Sequence, residues 1–205
     1  MSLQTIVPRA YTPGFAGQIV RQGPQRAKPA RIVSATLGTD PGASTNRISR
    51  VFGYSAEVPE LGSTPAIQEA EVIVGGPTFF GILGHPQHYV LYGQAGDSLA
   101  ASYDLPMGAE GEFFDMFTGL MVELLNFSTA AENVAFGDQV AYVPSNITTA
   151  NNPLAAPYGA LISVPAGSAA PAGTVLIPGA KVIVPVALAA SGAGALVSGT
   201  TVIQL

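Results

Sequence analysis

From Arg47 onward, apolar and polar residues tend to alternate, and the runs they form are short. Arg47-Ile48-Ser49-Arg50-Val51-Phe52-Gly53 alternates up to its glycine, and Glu71-Val72-Ile73-Val74 runs into the two-glycine turn signal Gly75-Gly76. Thr78-Phe79-Phe80-Gly81-Ile82-Leu83-Gly84 and His88-Tyr89-Val90-Leu91-Tyr92-Gly93 are rich in aromatic and β-branched residues, and each is closed by glycine. That composition suits the pleated, half-buried surface of a strand. Gly137-Asp138-Gln139-Val140-Ala141-Tyr142-Val143-Pro144 reads as a turn entering a strand in which Val140 and Tyr142 share a face. Its neighbour is expected to be antiparallel.

One segment offers a helical period. Phe113, Phe117, Leu120, Met121 and Leu124 fall on one helical face between Glu112 and Asn126. Gly119 would cost such a helix about 1 kcal/mol relative to alanine, and two short buried strands meeting at Gly119 produce the same apolar run. Strands are the favoured assignment and helix the competing one. Beyond Asn151 come four apolar β-branched runs, Ala160–Pro165, Thr174–Pro178, Lys181–Val186 and Thr200–Leu205. Pro165, Pro178 and Pro185 cannot donate to a ladder, so they belong at strand ends, edges or bulges. The expectation is an all-β protein, a sandwich or barrel.

Composition sharpens this. Gly 24 and Pro 17 in 205 residues punctuate the chain too often for long helices, and with no cysteine the fold relies on packing rather than disulfides or thiolate metal sites. The length suits a single domain, 1–205. Hydrophobic residues are 48% and charged residues only 10%, against about 25% in average soluble domains, which favours assembly through uncharged surface. Gln139 to Leu205 contains one charged residue, Lys181, so much of 150–205 is expected to be buried in a core or between subunits.

Charge is also divided along the chain. Residues 1–50 hold Arg9, Arg21, Arg26, Lys28, Arg31, Arg47 and Arg50 against Asp40 alone, whereas 51–205 hold Lys181 against the other twelve acids. A basic, proline-containing stretch before an acidic body is the form of an extended arm, taken as 1–31, that docks on its own body, on a neighbouring subunit or on a shell. Arg9, Arg21, Arg26, Lys28 and Arg31 are the candidate contact residues. The spread of these charges, without interleaved aromatic residues, makes a poor phosphate-tracking groove, so nucleic acid is not expected as a partner. A membrane is not expected either: the most apolar stretch, Val182–Val197, is interrupted by Pro185 and falls short of the roughly 20 residues a spanning helix needs. The first residues lack the charged start and apolar core of a secretory signal, which points to a cytosolic protein whose Asn126 and Asn146 sequons go unused.

Candidate chemistry is sparse. Lys28 and Lys181 complete no phosphate loop. His85 and His88 are three apart, but Pro86 prevents a helix and a strand would place them on opposite faces, so they read as a turn rather than a metal site. Glu69/Glu71 reads as the solvent face of a strand and Glu110/Glu112 flank Gly111 in a loop, so neither pair, nor Asp115 with them, is taken as a paired-carboxylate site. No nucleophile elbow is present. No catalytic residue, metal site or cofactor is expected.

Phe15-Ala16-Gly17-Gln18-Ile19, Val51-Phe52-Gly53, Phe79-Phe80-Gly81-Ile82-Leu83, Tyr92-Gly93, Gly119-Leu120-Met121-Val122 and Gly137-Asp138-Gln139-Val140, taken in order across residues 11–145, resemble the structural cement family of tailed phages. The resemblance implies a jelly-roll-like or barrel-like β protein without a catalytic site. It implies attachment, as a homodimer or homotrimer, to the major capsid protein on the exterior of a capsid assembled in the host cytoplasm, reinforcing contacts between capsomers. The tail after Asn151 and Phe113–Phe117 depart from the pattern. The competing reading is a tail or fibre adaptor, or a carbohydrate-binding attachment module.

Overall fold

A computed structural model describes residues 16–34, 46–59, 68–85, 105, 107–126, 130–145, 156–190 and 197–205. The expected strand over Tyr89–Tyr92 lies outside the described residues. Among those described, every regular element is a strand. The first five are β1 (Arg26–Ile32), β2 (Val51–Pro59), β3 (Gln68–Val74), β4 (Phe79–Leu83) and β5 (Glu110–Met116), closing a barrel in the order β1-β3-β2-β4-β5. There follow β6 (Leu120–Asn126), β7 (Glu132–Val134), β8 (Gln139–Tyr142), β9 (Leu161–Val164), β10 (Val175–Val182), β11 (Val186–Leu188) and β12 (Val197–Gln204). Of these, β10-β12-β6-β9-β8 close a second barrel, and β11 pairs with β7 as a separate ribbon. The all-β expectation holds, as two barrels rather than one sandwich.

Glu112–Asn126 is two strands, β5 and β6, with the break at Phe117–Gly119. In a helix one stripe would be buried; here Phe113 and Phe114 are both buried, because one faces the first barrel's interior and the other packs with the second barrel's core. The Arg47–Gly53 expectation is corrected in part. Ile48 and Ser49 form a turn, Ser49 adopts a left-handed φ of 71°, and the strand begins at Val51. Alternation in a short window does not distinguish a strand from a turn whose apolar residue happens to be buried.

The first barrel is filled by aromatic rings meeting edge to face. Phe113 lies 5.0 Å from Phe52 and 5.5 Å from Phe80, and Phe80 lies 4.7 Å from Tyr54, centroid to centroid. Phe80 can face inward while Phe79 and Ile82 face outward because the β2–β4 register slips: Phe52 opposes Gly81, but Gly53 opposes Phe79. The extra residue is a bulge that reverses the pleat. Outward-facing Val51, Ile82 and Phe114 therefore join Leu120, Leu124, Tyr142, Leu161 and Ile203 in one buried cluster spanning both barrels. In β10, Pro178 and Gly179 occupy the slip between Leu176 and Lys181, the bulge expected for a proline within a strand.

Backbone joins the barrels directly. Val51 N donates to Gly159 O at 2.9 Å and Ser145 N to Gly75 O at 2.6 Å across the junction, while Gly75 N donates to Val51 O and Gly159 N to Val143 O, each at 2.8 Å, on their own sides of it. Gly75 and Gly159 both hold positive φ, and a Cβ on Gly159 would lie 2.5 Å from Val51 O. The buried Tyr142 hydroxyl donates to Gly76 O at 3.0 Å, and its burial raises its pKa. Gly159→Ala is therefore expected to destabilise by at least about 2 kcal/mol more than Gly167→Ala, which shares the left-handed strain of about 1–2 kcal/mol but meets open space. Urea midpoints of the two variants check this, and equal losses would contradict it.

Candidate functional site

Contact residues expected from the leading segment are largely bound to this chain's own body. Arg9 lies outside the described residues. Residues 17–20 run antiparallel beside the start of β6: Gly17 N donates to Met121 O at 2.7 Å, Met121 N to Gln18 O at 2.9 Å and Val20 N to Gly119 O at 2.9 Å. Arg21 is exposed and lays its stem over Gly119, where a Cβ would come within 2.8 Å of it. Arg26 through Arg31 form the wall of the first barrel as β1, paired with β5 on one side and, at Arg31 and Ile32, with β3 on the other. The last six residues of the expected arm are thus barrel strand.

Register then decides which charges meet. Lys28 opposes Phe113 and Arg26 opposes Met116, so Asp115 falls between the two cations. Arg26 Nε and Nη2 donate to the two Asp115 oxygens at 2.7 and 2.8 Å, and Lys28 Nζ lies 2.6 Å from Oδ2. The Asp115 side chain is 8% exposed against 61% for Arg26. Burial alone would raise the Asp115 pKa, but the hydrogen bonds and charges of Arg26 and Lys28 outweigh it and hold the carboxyl below its usual range. Lys28 also sits 4.9 Å above the Phe80 ring, so this ion cluster caps the aromatic core. Arg31 is exposed, flanked in register by Glu71 on β3 and Glu110 on β5.

The candidate chemical groups do not converge. His85 is exposed, its backbone N donating to Gly17 O at 2.9 Å, and His88 lies outside the described residues. Glu110 and Glu112 are exposed on β5. Among the described residues no three His, Cys, Asp or Glu side chains are grouped to hold a metal, and no helix is long and apolar enough to cross a membrane. The Asn126 amide is wholly buried and donates to Ala130 O at 2.9 Å and Ala189 O at 2.8 Å, making this sequon asparagine a structural residue. Asn146 lies outside the described residues.

A different feature escaped the sequence reading. Asp138 is buried and accepts hydrogen bonds from Ala135 N at 2.7 Å, Ala166 N at 3.2 Å and the Ser163 hydroxyl at 3.4 Å. Those bonds clamp the turn between β7 and β8, and the turn presents Phe136 with 73% of its surface exposed. Val184, just after β10, is also exposed, as are Pro185 and Ala187, so apolar groups lie at the surface here beside the half-buried Glu132 of β7. The expectation that 150–205 would be mostly buried is met only for inward positions: the outward ones are exposed in the single chain. Phe136 was signalled only by standing alone between Ala135 and Gly137, outside any strand pattern.

The family model for the structural cement protein (E217 gp24/Pam3 gp6) matches residues 3–204. The chain belongs to this phage structural cement protein family and is a structural component of the phage particle. The match includes the tail after Asn151, which the motifs had left out. Among solved structures, a chain from "The capsid of Myoviridae Phage XM1" is similar at 10% identity, covering 100% of this chain and 97% of that one with a TM-score of 0.47. No curated protein matches the chain.

The depressed Asp115 pKa sets a pH dependence. A carboxyl whose folded pKa lies below its unfolded value of about 3.9 adds stability above that value and loses it as pH falls through the folded pKa. Asp115→Asn is expected to be less stable than the parent near neutral pH, with the difference shrinking below about pH 4. Urea midpoints across that range measure it; a difference independent of pH would contradict the ion cluster's role.

Proposed function

We propose that this protein acts by adhesion alone, binding the outer surface of the assembled capsid as a homo-oligomer and reinforcing contacts between capsomers. The family match over residues 3–204 carries the reading. Charge distribution supports it: a cement gains from many weak identical contacts, and a body whose residues 139–205 carry a single charge can approach neighbours with little desolvation cost. The partners in this reading are the major capsid protein and further copies of the chain, with no nucleic acid, membrane or cofactor and no catalytic step. The buried cluster spanning both barrels supports treating residues 1–205 as one folding unit.

Of the candidate contact residues, Arg26 and Lys28 already share Asp115 within the chain. Arg21 and Arg31, both exposed, are the ones we assign to steering and docking, with Arg9 as a further contact. A deletion that tests the leading segment must stop before β1, because removing Arg26–Ile32 removes barrel wall. An exposed charge contributes up to about 1 kcal/mol, so Arg21→Gln combined with Arg31→Gln should weaken binding to undecorated heads by about tenfold while leaving the circular dichroism spectrum unchanged. Co-sedimentation at several salt concentrations checks this. Undiminished, salt-independent binding by the double variant would reject the assignment.

A further inference from the structure

A recess lies between the two barrels. Pro24, Met116, Phe117 and Thr118 line it from the end of β5 and the segments beside it, while Gly179, Gln204 and Leu205 line it from the second barrel, enclosing about 280 Å³. A cavity of roughly 150 Å³ accommodates a benzene ring, so one apolar side chain enters with room for its backbone. Gly179 contributes no side chain, Met116 stands 37% exposed, and none of the lining residues is acidic.

Cations flank the recess on both sides. In the second barrel Ala180, Val182 and Ile203 face the core, which turns Lys181 and Gln204 outward. Lys181 opposes Gln204 on β12 and Gln139 on β8, so an ammonium and two amides form one row across three strands. Lys181 is exposed and, among the described residues, makes no ion pair. On the first-barrel side Arg26 opposes Met116. Asp115 holds two of the five guanidinium N–H donors, and the Arg26 side chain is 61% exposed, which leaves the others at the surface. An apolar floor between two cations suits a partner that is apolar at one point and anionic on either side of it.

We infer that this recess docks an extended segment of the major capsid protein in which an apolar side chain stands between carboxylates. The apolar side chain enters between the barrels, and the carboxylates meet Lys181 and Arg26. A second copy of the chain is a poorer occupant. Its exposed Glu110 and Glu112 lie in the wall of β5, and Phe136, which does project, has its neighbouring carboxylate Asp138 buried against Ala135 N and Ala166 N, so neither offers that combination. The inference rests on the capsid-binding reading above and names the chemistry of the segment bound.

Methyl NMR tests it on the full chain, whose four methionines give few resonances to assign. The probe is the peptide acetyl-Asp-Glu-Leu-Glu-Asp-amide. It is expected to shift the Met116 methyl saturably and to leave that of the exposed Met107 in place. Replacing the four acids of the probe with their amides should weaken binding about tenfold. Lys181→Gln should weaken the acidic probe about fivefold, leave the amide probe unaffected, and lower co-sedimentation affinity for undecorated heads by a similar factor. A Met116 methyl that does not respond, or a Lys181→Gln variant that binds heads like the parent, overturns the site and leaves the adhesion reading in place. A Met116 shift produced by raising the protein concentration alone gives the recess to a second copy and overturns the capsid segment. Failure of the wild type to bind heads overturns both readings.

Discussion

Two barrels can share one core here because backbone meets backbone at their junction. Val51, Gly75, Val143, Ser145 and Gly159 exchange main-chain hydrogen bonds at 2.6–2.9 Å, a separation that leaves no space for side chains at the two glycines. The left-handed φ at Gly75 and Gly159 turns each segment back across the junction, and only glycine takes that conformation at little cost. Tyr142 then reaches from the second barrel to carbonyls of the β3–β4 turn, and Ser49, itself left-handed, accepts a hydrogen bond from Glu123 N at 3.0 Å. With the junction satisfied by peptide groups, few charges are needed to hold the protein together. That is how a chain with 10% charged residues keeps a defined arrangement.

The charge it does carry is used close to where it lies. Arg26–Ile32, the end of the basic segment, lies as β1 between β3 and β5, and Asp115 draws Arg26 and Lys28 together beside the aromatic core. A near-buried carboxylate with two cationic partners caps that core and leaves Arg26 largely exposed at the surface. What faces outward is then divided by chemistry, with Arg31 among glutamates on the first barrel and apolar groups around Phe136 and β11 on the second. In the proposed function the first gives orientation and the second gives contact area.

Much of the β architecture was legible in the residues. Gly75-Gly76 marked the end of β3, the alternation of Val140 and Tyr142 marked a strand with antiparallel neighbours, and Gly119 separated β5 from β6 where the helical period suggested otherwise. Register was not legible. Whether Lys28 and Asp115 meet depends on β1 and β5 being neighbours about eighty residues apart in sequence, which no local pattern encodes. The bulge at Phe80 reverses a pleat that alternation assumes to be continuous, and strand count alone did not indicate closure into two barrels. Of the candidate site, the basic residues were legible as charges but not as partners. Phe136 gave little signal, because one aromatic residue in a turn differs from a core residue only through its exposure.

The most direct test of adhesion as the function is mechanical. Heads lacking the protein are heated with and without it, and release of packaged DNA is followed by dye fluorescence while bound copies are counted by quantitative mass spectrometry. A cement raises the release temperature in proportion to copies bound and saturates at a regular multiple of the capsomer number. Binding of a handful of copies with an unchanged release temperature would contradict it.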